Sequence, residues 1–61
     1  MARAAADIQA IIDRVVQERQ ALRAAGAPRT ELDANRHALV YWQLALTQLM
    51  AEEGLARRPA A

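Results

Sequence analysis

The 61-residue chain has a net charge of +1, no Cys, one His and eight cationic side chains, all of them Arg. These numbers exclude disulfides, argue against a structural metal site, and give no charge excess that would select a polyanion. A single core of this size rarely supplies more than about 3–5 kcal/mol, so oligomerisation is the remaining source of stability.

The first segment is predicted to be a helix over about residues 2–25, because it contains neither Gly nor Pro and is rich in strong helix formers. Its apolar side chains recur at a spacing of three or four and so share one face: Ala5, Ile8, Ile11, Ile12, Val15, Val16 and Leu22. Arg19 interrupts this face. Asp7 and Asp13 break up the apolar run that a secretory signal would need, so we expect none.

A turn is predicted over residues 26–30. Gly26 suits the left-handed residue that ends a helix, and Pro28 prevents the helix from resuming. Thr30, followed by Asp33 three residues later, resembles a capping box, so Thr30 is expected to be the N-cap of a second helix over about residues 31–53. Gly54 is expected to end that helix, leaving 55–61 as a flexible tail.

The second helix is apolar on more than one face. Within the run 37–51, we expect a central seam toward other helices and a set of outer contacts, together Leu39, Val40, Tyr41, Trp42, Leu44, Leu46 and Leu49. A helix that is apolar on several faces needs several neighbours, and the chain offers only one. The run is about 15 residues long and contains Gln and Thr, so it is too short and too polar to span a bilayer, and we expect a cytoplasmic protein.

Two helices of similar length joined by a short turn predict an all-α fold, a two-helix antiparallel hairpin over residues 1–54. Pairing about the turn sets residue i of the first helix level with about residue 56 − i of the second. Self-association of two such hairpins, most simply as a two-fold homodimer, would give a four-helix bundle. The number of chains and the identity of any other partner stay open.

Two polar features of the sequence are candidate sites. Arg19 and Asn35 both interrupt apolar stripes near the turn, and they are either a polar specificity pair that selects one register or edge residues that reach solvent. His37 lies one turn from Asp33 and one turn from Tyr41, which could form a proton-transfer chain. Without a nucleophile or a Gly-rich loop, a surface His is the preferred interpretation, and no catalytic residue, cofactor or metal is predicted.

The function expected from these patterns is a small non-enzymatic interaction module: either a homo-oligomeric adaptor or a regulatory protein that docks a partner through the second helix. The alternative is a small dimeric nucleic-acid-binding protein that uses its scattered Arg residues and the Arg57–Arg58 tail. Acidic residues are interspersed among the Arg residues of the first helix, and no recognition motif is present, which argues against nucleic acid.

Overall fold

The computed structural model describes residues 4–56, with side chains described as far as Gly54. Two helices make up this part of the chain, α1 (Ala5–Ala24) and α2 (Arg29–Ala56), and they contact each other as a hairpin. The predicted all-α two-helix hairpin is therefore confirmed. The predicted start of the first helix at residue 2 lies outside the described residues, within which Ala4 is the N-cap.

α1 ends in a Schellman motif at the predicted glycine. Gly26 has a φ of +67°, the left-handed conformation that glycine adopts without steric cost. The N–H of Ala27 donates to the carbonyl of Leu22 at 2.9 Å, and the N–H of Gly26 donates to that of Arg23 at 3.1 Å. These two bonds satisfy carbonyls that the helix end would otherwise leave unpaired, and they reverse the chain within a few residues.

α2 begins two residues earlier than expected. The carbonyl of Pro28 accepts the N–H groups of Glu31 at 3.0 Å and Leu32 at 3.3 Å, so the helix starts at Arg29. Thr30 lies inside the first turn, and the prediction that its hydroxyl is the N-cap is wrong. Pro28 is well suited to this position, because its carbonyl accepts the first helical hydrogen bonds and the N–H that it lacks would have had no partner within the helix.

α2 also ends later than expected, at Ala56. The prediction that Gly54 ends the helix is wrong, as is the assignment of Leu55 and Ala56 to a tail, whereas residues 57–61 lie outside the described part. A glycine inside a helix costs only about 1 kcal/mol, so it ends a helix only where the residues after it do not favour helix. Here Leu55 and Ala56, both good helix formers, continue the helix.

Each residue of α1 lies beside residues of α2 that are nearer to the turn than the sequence predicts. The side-chain bonds that cross between them join Asn35 to Val15 and Arg19 to Leu32, pairs whose residue numbers add to 50 and 51. The expected sum of 56 is therefore wrong by about five residues. The early start of α2 and the tight Schellman turn both shift the midpoint of the hairpin toward α1.

The core is small. Ile8, Ile12 and Val15 of α1 are the buried apolar residues, and among the described side chains none is completely enclosed. The radius of gyration is 15.2 Å, against about 10 Å for a compact domain of this length. A single hairpin thus forms an elongated body with little interior of its own.

The two glycines should respond in opposite directions to alanine. Gly26→Ala forces a side chain into the left-handed region, so the free energy of unfolding should fall by about 1 kcal/mol. Gly54→Ala meets no atom within 4 Å and removes a flexible residue from a helix, so unfolding should become more costly by up to about 1 kcal/mol. Urea unfolding followed by circular dichroism measures both, and equal effects would contradict the assignment of the turn.

Candidate interaction surface

The side of α2 that faces away from α1 carries exposed apolar side chains. Leu44 follows Asn35 by nine residues, which at 100° per residue places it on the opposite side of the helix. The exposed fractions are 58% for Leu44, 46% for Val40 and 64% for Tyr41. We call these three residues the outer face of α2. Their arrangement leaves an apolar surface that α1 does not cover.

The remaining predicted interface residues lie on the α1 side of α2. Leu39, Trp42, Leu46 and Leu49 are half-buried, and each falls within about 40° of Asn35 on the helix. The rings of Tyr41 and Trp42 meet edge to face, with centroids 5.1 Å apart and an interplanar angle of 86°. Such a contact is worth about 0.5–1.5 kcal/mol beyond burial. It links Trp42, on the α1 side of α2, to Tyr41 on the outer face. The assignment of all seven residues to an interface stays a prediction.

Arg19 and Asn35 form a reciprocal link between the helices. The Nδ2 of Asn35 donates to the carbonyl of Val15 at 3.1 Å, and the Nη1 of Arg19 donates to the carbonyl of Leu32 at 3.3 Å. Each side chain therefore bonds the backbone of the opposite helix instead of the other side chain. Asn35 is only 6% exposed, so it is not an edge residue reaching solvent, and Arg19 is half-buried.

The Oδ1 atom of Asn35 is buried and accepts no hydrogen bond. The Nδ2 atom is engaged by Val15, so the oxygen is the polar atom of this amide that is left without a partner. A buried acceptor in this condition costs about 1–3 kcal/mol. A buried amide with that cost between the helices is better explained by register selection than by maximal stability, so the register role of Asn35 stays a hypothesis.

His37 does not belong to a polar chain. Its side chain is exposed, as are those of Asp33 and Tyr41, and within residues 4–56 no hydrogen bond joins His37 to either. The Oδ2 atom of Asp33 instead lies 4.0 Å from the Nε atom of Arg29, one helical turn earlier, in an exposed ion pair. The structure thus offers no path for the proton transfer that the spacing allowed.

The cationic side chains of the described residues do not all lie on one side of the hairpin. Arg14 and Arg23 are nine residues apart on α1 and so project to opposite sides, and Arg29 is beside Asp33. Three further predicted contacts lie outside the described residues: Arg3, Arg57 and Arg58. Over residues 4–56 there is also no cluster of acidic or His side chains suited to a metal. Nor is either described helix long and apolar enough to span a membrane.

A groove lies between the helices beside the turn, with a volume of about 450 Å³. Its lining consists of two exposed acidic residues, three small or apolar residues and the buried amide: Glu18, Glu31, Leu22, Ala34, Ala38 and Asn35. Sequence reasoning missed this feature because both Glu residues look like ordinary solvated positions. The signal that could have found it is their placement one on each side of the turn.

Comparison with known proteins gives no relative from which a role could be transferred: no family model, curated protein or solved structure matches the chain.

Asn35→Leu should make the hairpin more stable but allow its helices to pair in more than one register. Removal of the unpaired amide oxygen and the gain of apolar contact should raise the free energy of unfolding by about 1 kcal/mol. The loss of the directional bond to Val15 should let the helices adopt more than one register, seen as several sets of amide signals in a ¹H–¹⁵N spectrum. Gln43→Leu, at an exposed position of the same helix, is the control and should keep one set. A single set for Asn35→Leu would contradict the register hypothesis.

Proposed function

We propose that this chain is a small non-enzymatic interaction module that associates with a second copy of itself through the outer face of α2, so that four helices pack as a bundle. The observation that carries the proposal is the exposure of Val40, Tyr41 and Leu44 on the side opposite α1. Three neighbouring apolar side chains on one face are the usual mark of a surface that another molecule covers.

The stability of the hairpin supports the same proposal. Ile8, Ile12 and Val15 are the buried apolar side chains among the described residues, and a single core in a chain of this size rarely supplies more than about 3–5 kcal/mol. Packing within one hairpin leaves a small margin. Burial of the outer face against a partner adds the apolar contact that a 61-residue chain without Cys cannot obtain from a cross-link.

A second copy fits the dimensions of this surface. The hairpin is 53 Å long and only 16–20 Å across, so a second copy can lie along the whole length of α2 and extend the contact beyond the three residues of the outer face. A two-fold interface also needs only one self-complementary patch, which the outer face supplies. Docking of a different protein on the same face is the rival outcome that the following experiment separates.

Leu44→Glu tests the proposal. Each copy loses about 1 kcal/mol of apolar burial and gains a charge at the contact, and a two-fold interface contains the position twice. Association should therefore weaken by about 30-fold or more. Light scattering across a range of concentrations measures the mass, and circular dichroism measures helix content, which should change little because Leu44 does not face α1.

Gln43→Glu is the matched control, since it adds the same charge on another exposed side of α2 without removing an apolar contact. We expect this control to keep twice the mass of one chain. If wild type is a monomer at every concentration, or if Leu44→Glu associates as wild type does, self-association through the outer face is wrong.

A further inference from the structure

We propose that the groove beside the turn binds an alkylguanidinium group, the chemistry of an arginine side chain. The first observation is the distribution of charge around it. Glu18 of α1 and Glu31 of α2 lie on either side of the opening, and none of the six lining residues is cationic. Arg19 does not fill the groove, because its guanidinium donates to the carbonyl of Leu32 and it is absent from the lining.

The second observation is independent of the acidic pair. Asn35 lines the same groove and is 6% exposed, and its Oδ1 atom has no hydrogen-bond donor. Its Nδ2 atom is fixed by the carbonyl of Val15, so an exchange of the two amide ends would place two oxygens against each other and is disfavoured. A buried oxygen held in this orientation calls for a donor from outside the hairpin.

Guanidinium matches these acceptors better than a point charge does. It is planar and carries five N–H donors, which can reach two carboxylates and an amide oxygen in different directions. Leu22, Ala34 and Ala38 provide an apolar wall for the methylene stem. The groove volume of about 450 Å³ lies within the usual range for small-ligand sites, about 300–1,000 Å³. Since Oδ1 has under 1 Å² of accessible surface, a neighbouring side chain must rotate aside as the ligand enters.

Titration of the full ¹⁵N-labelled chain with Nα-acetyl-L-arginine amide tests the site directly. The side-chain NH₂ signals of Asn35 should shift, together with the backbone amides of Glu18 and Glu31, with a dissociation constant on the order of 1 mM. Nα-acetyl-L-citrulline amide has the same stem with a neutral urea and should bind at least about tenfold more weakly. Equal binding of the two probes, or Asn35 signals that do not move, would overturn the proposal.

The paired variant Glu18→Gln with Glu31→Gln should weaken arginine-amide binding by about tenfold or more, because two charge-assisted hydrogen bonds are lost. Glu52→Gln removes one negative charge from an exposed position far from the groove, and it should bind within about twofold of wild type. Unchanged binding by the paired variant would show that the carboxylates do not contact the ligand and would also overturn the proposal.

The guanidinium could be a free small molecule or an arginine of a second copy, since all eight cations of this chain are Arg. The mass of the paired variant distinguishes the two sources. A lower mass than wild type assigns the ligand to the second copy, and an unchanged mass assigns it to a free molecule. The probe titration reads the groove and the mass of Leu44→Glu reads the outer face, so failure of one proposal is distinguishable from failure of the other.

Discussion

Two helices in contact can each bury only one side against the other, and this constraint governs the rest of the molecule. α1 nearly satisfies it, because Ile8, Ile12 and Val15 are buried at the contact and only Val16, at the edge of the apolar stripe, is 37% exposed. α2 does not satisfy it, because Leu44 lies on the side of the helix that α1 cannot reach. The two helices are therefore fully formed, but some apolar side chains of α2 are not buried by the hairpin.

The contact between the helices combines weak apolar packing with directional polar bonds. Ile and Val side chains are tolerant of sliding along a helix groove, whereas the bonds from Asn35 to Val15 and from Arg19 to Leu32 are lost after a shift of one residue. One bond is donated by α1 and the other by α2. A slide of one helix along the other therefore moves both donors away from their carbonyls. The core has three buried apolar residues, so the register hypothesis assigns the alignment of the helices to these two polar bonds.

The hairpin itself could be predicted from sequence because its signals are local. Gly26 and Pro28 mark the turn through backbone sterics alone, and the apolar spacing of the first helix needs no knowledge of its neighbour. The helix ends were predicted less well, since Thr30 and Gly54 are both compatible with a helix when the flanking residues favour one. A capping residue is a preference of about 1 kcal/mol, which adjacent helix formers can override.

The polar pair and the groove show a different limit. The sequence located Arg19 and Asn35 at the same end of the hairpin, but their backbone partners depend on the register, which an error of five residues in the pairing was enough to hide. The groove was not predictable, because it is lined by residues of both helices, Glu18 on one and Glu31 on the other. Such a site depends on the tertiary arrangement, which local patterns in a single sequence do not reveal.

The unequal lengths of the helices have a consequence for how the molecule opens. α2 has 28 residues and α1 has 20, and in the observed register the last ten or so residues of α2 extend past the level of Ala5. Over this extension α1 covers less of the helix, and Gly54 further lowers the local preference for helix. Local opening should therefore be more frequent toward Ala56 and rarer toward the turn, where the bonds from Asn35 and Arg19 join the two helices.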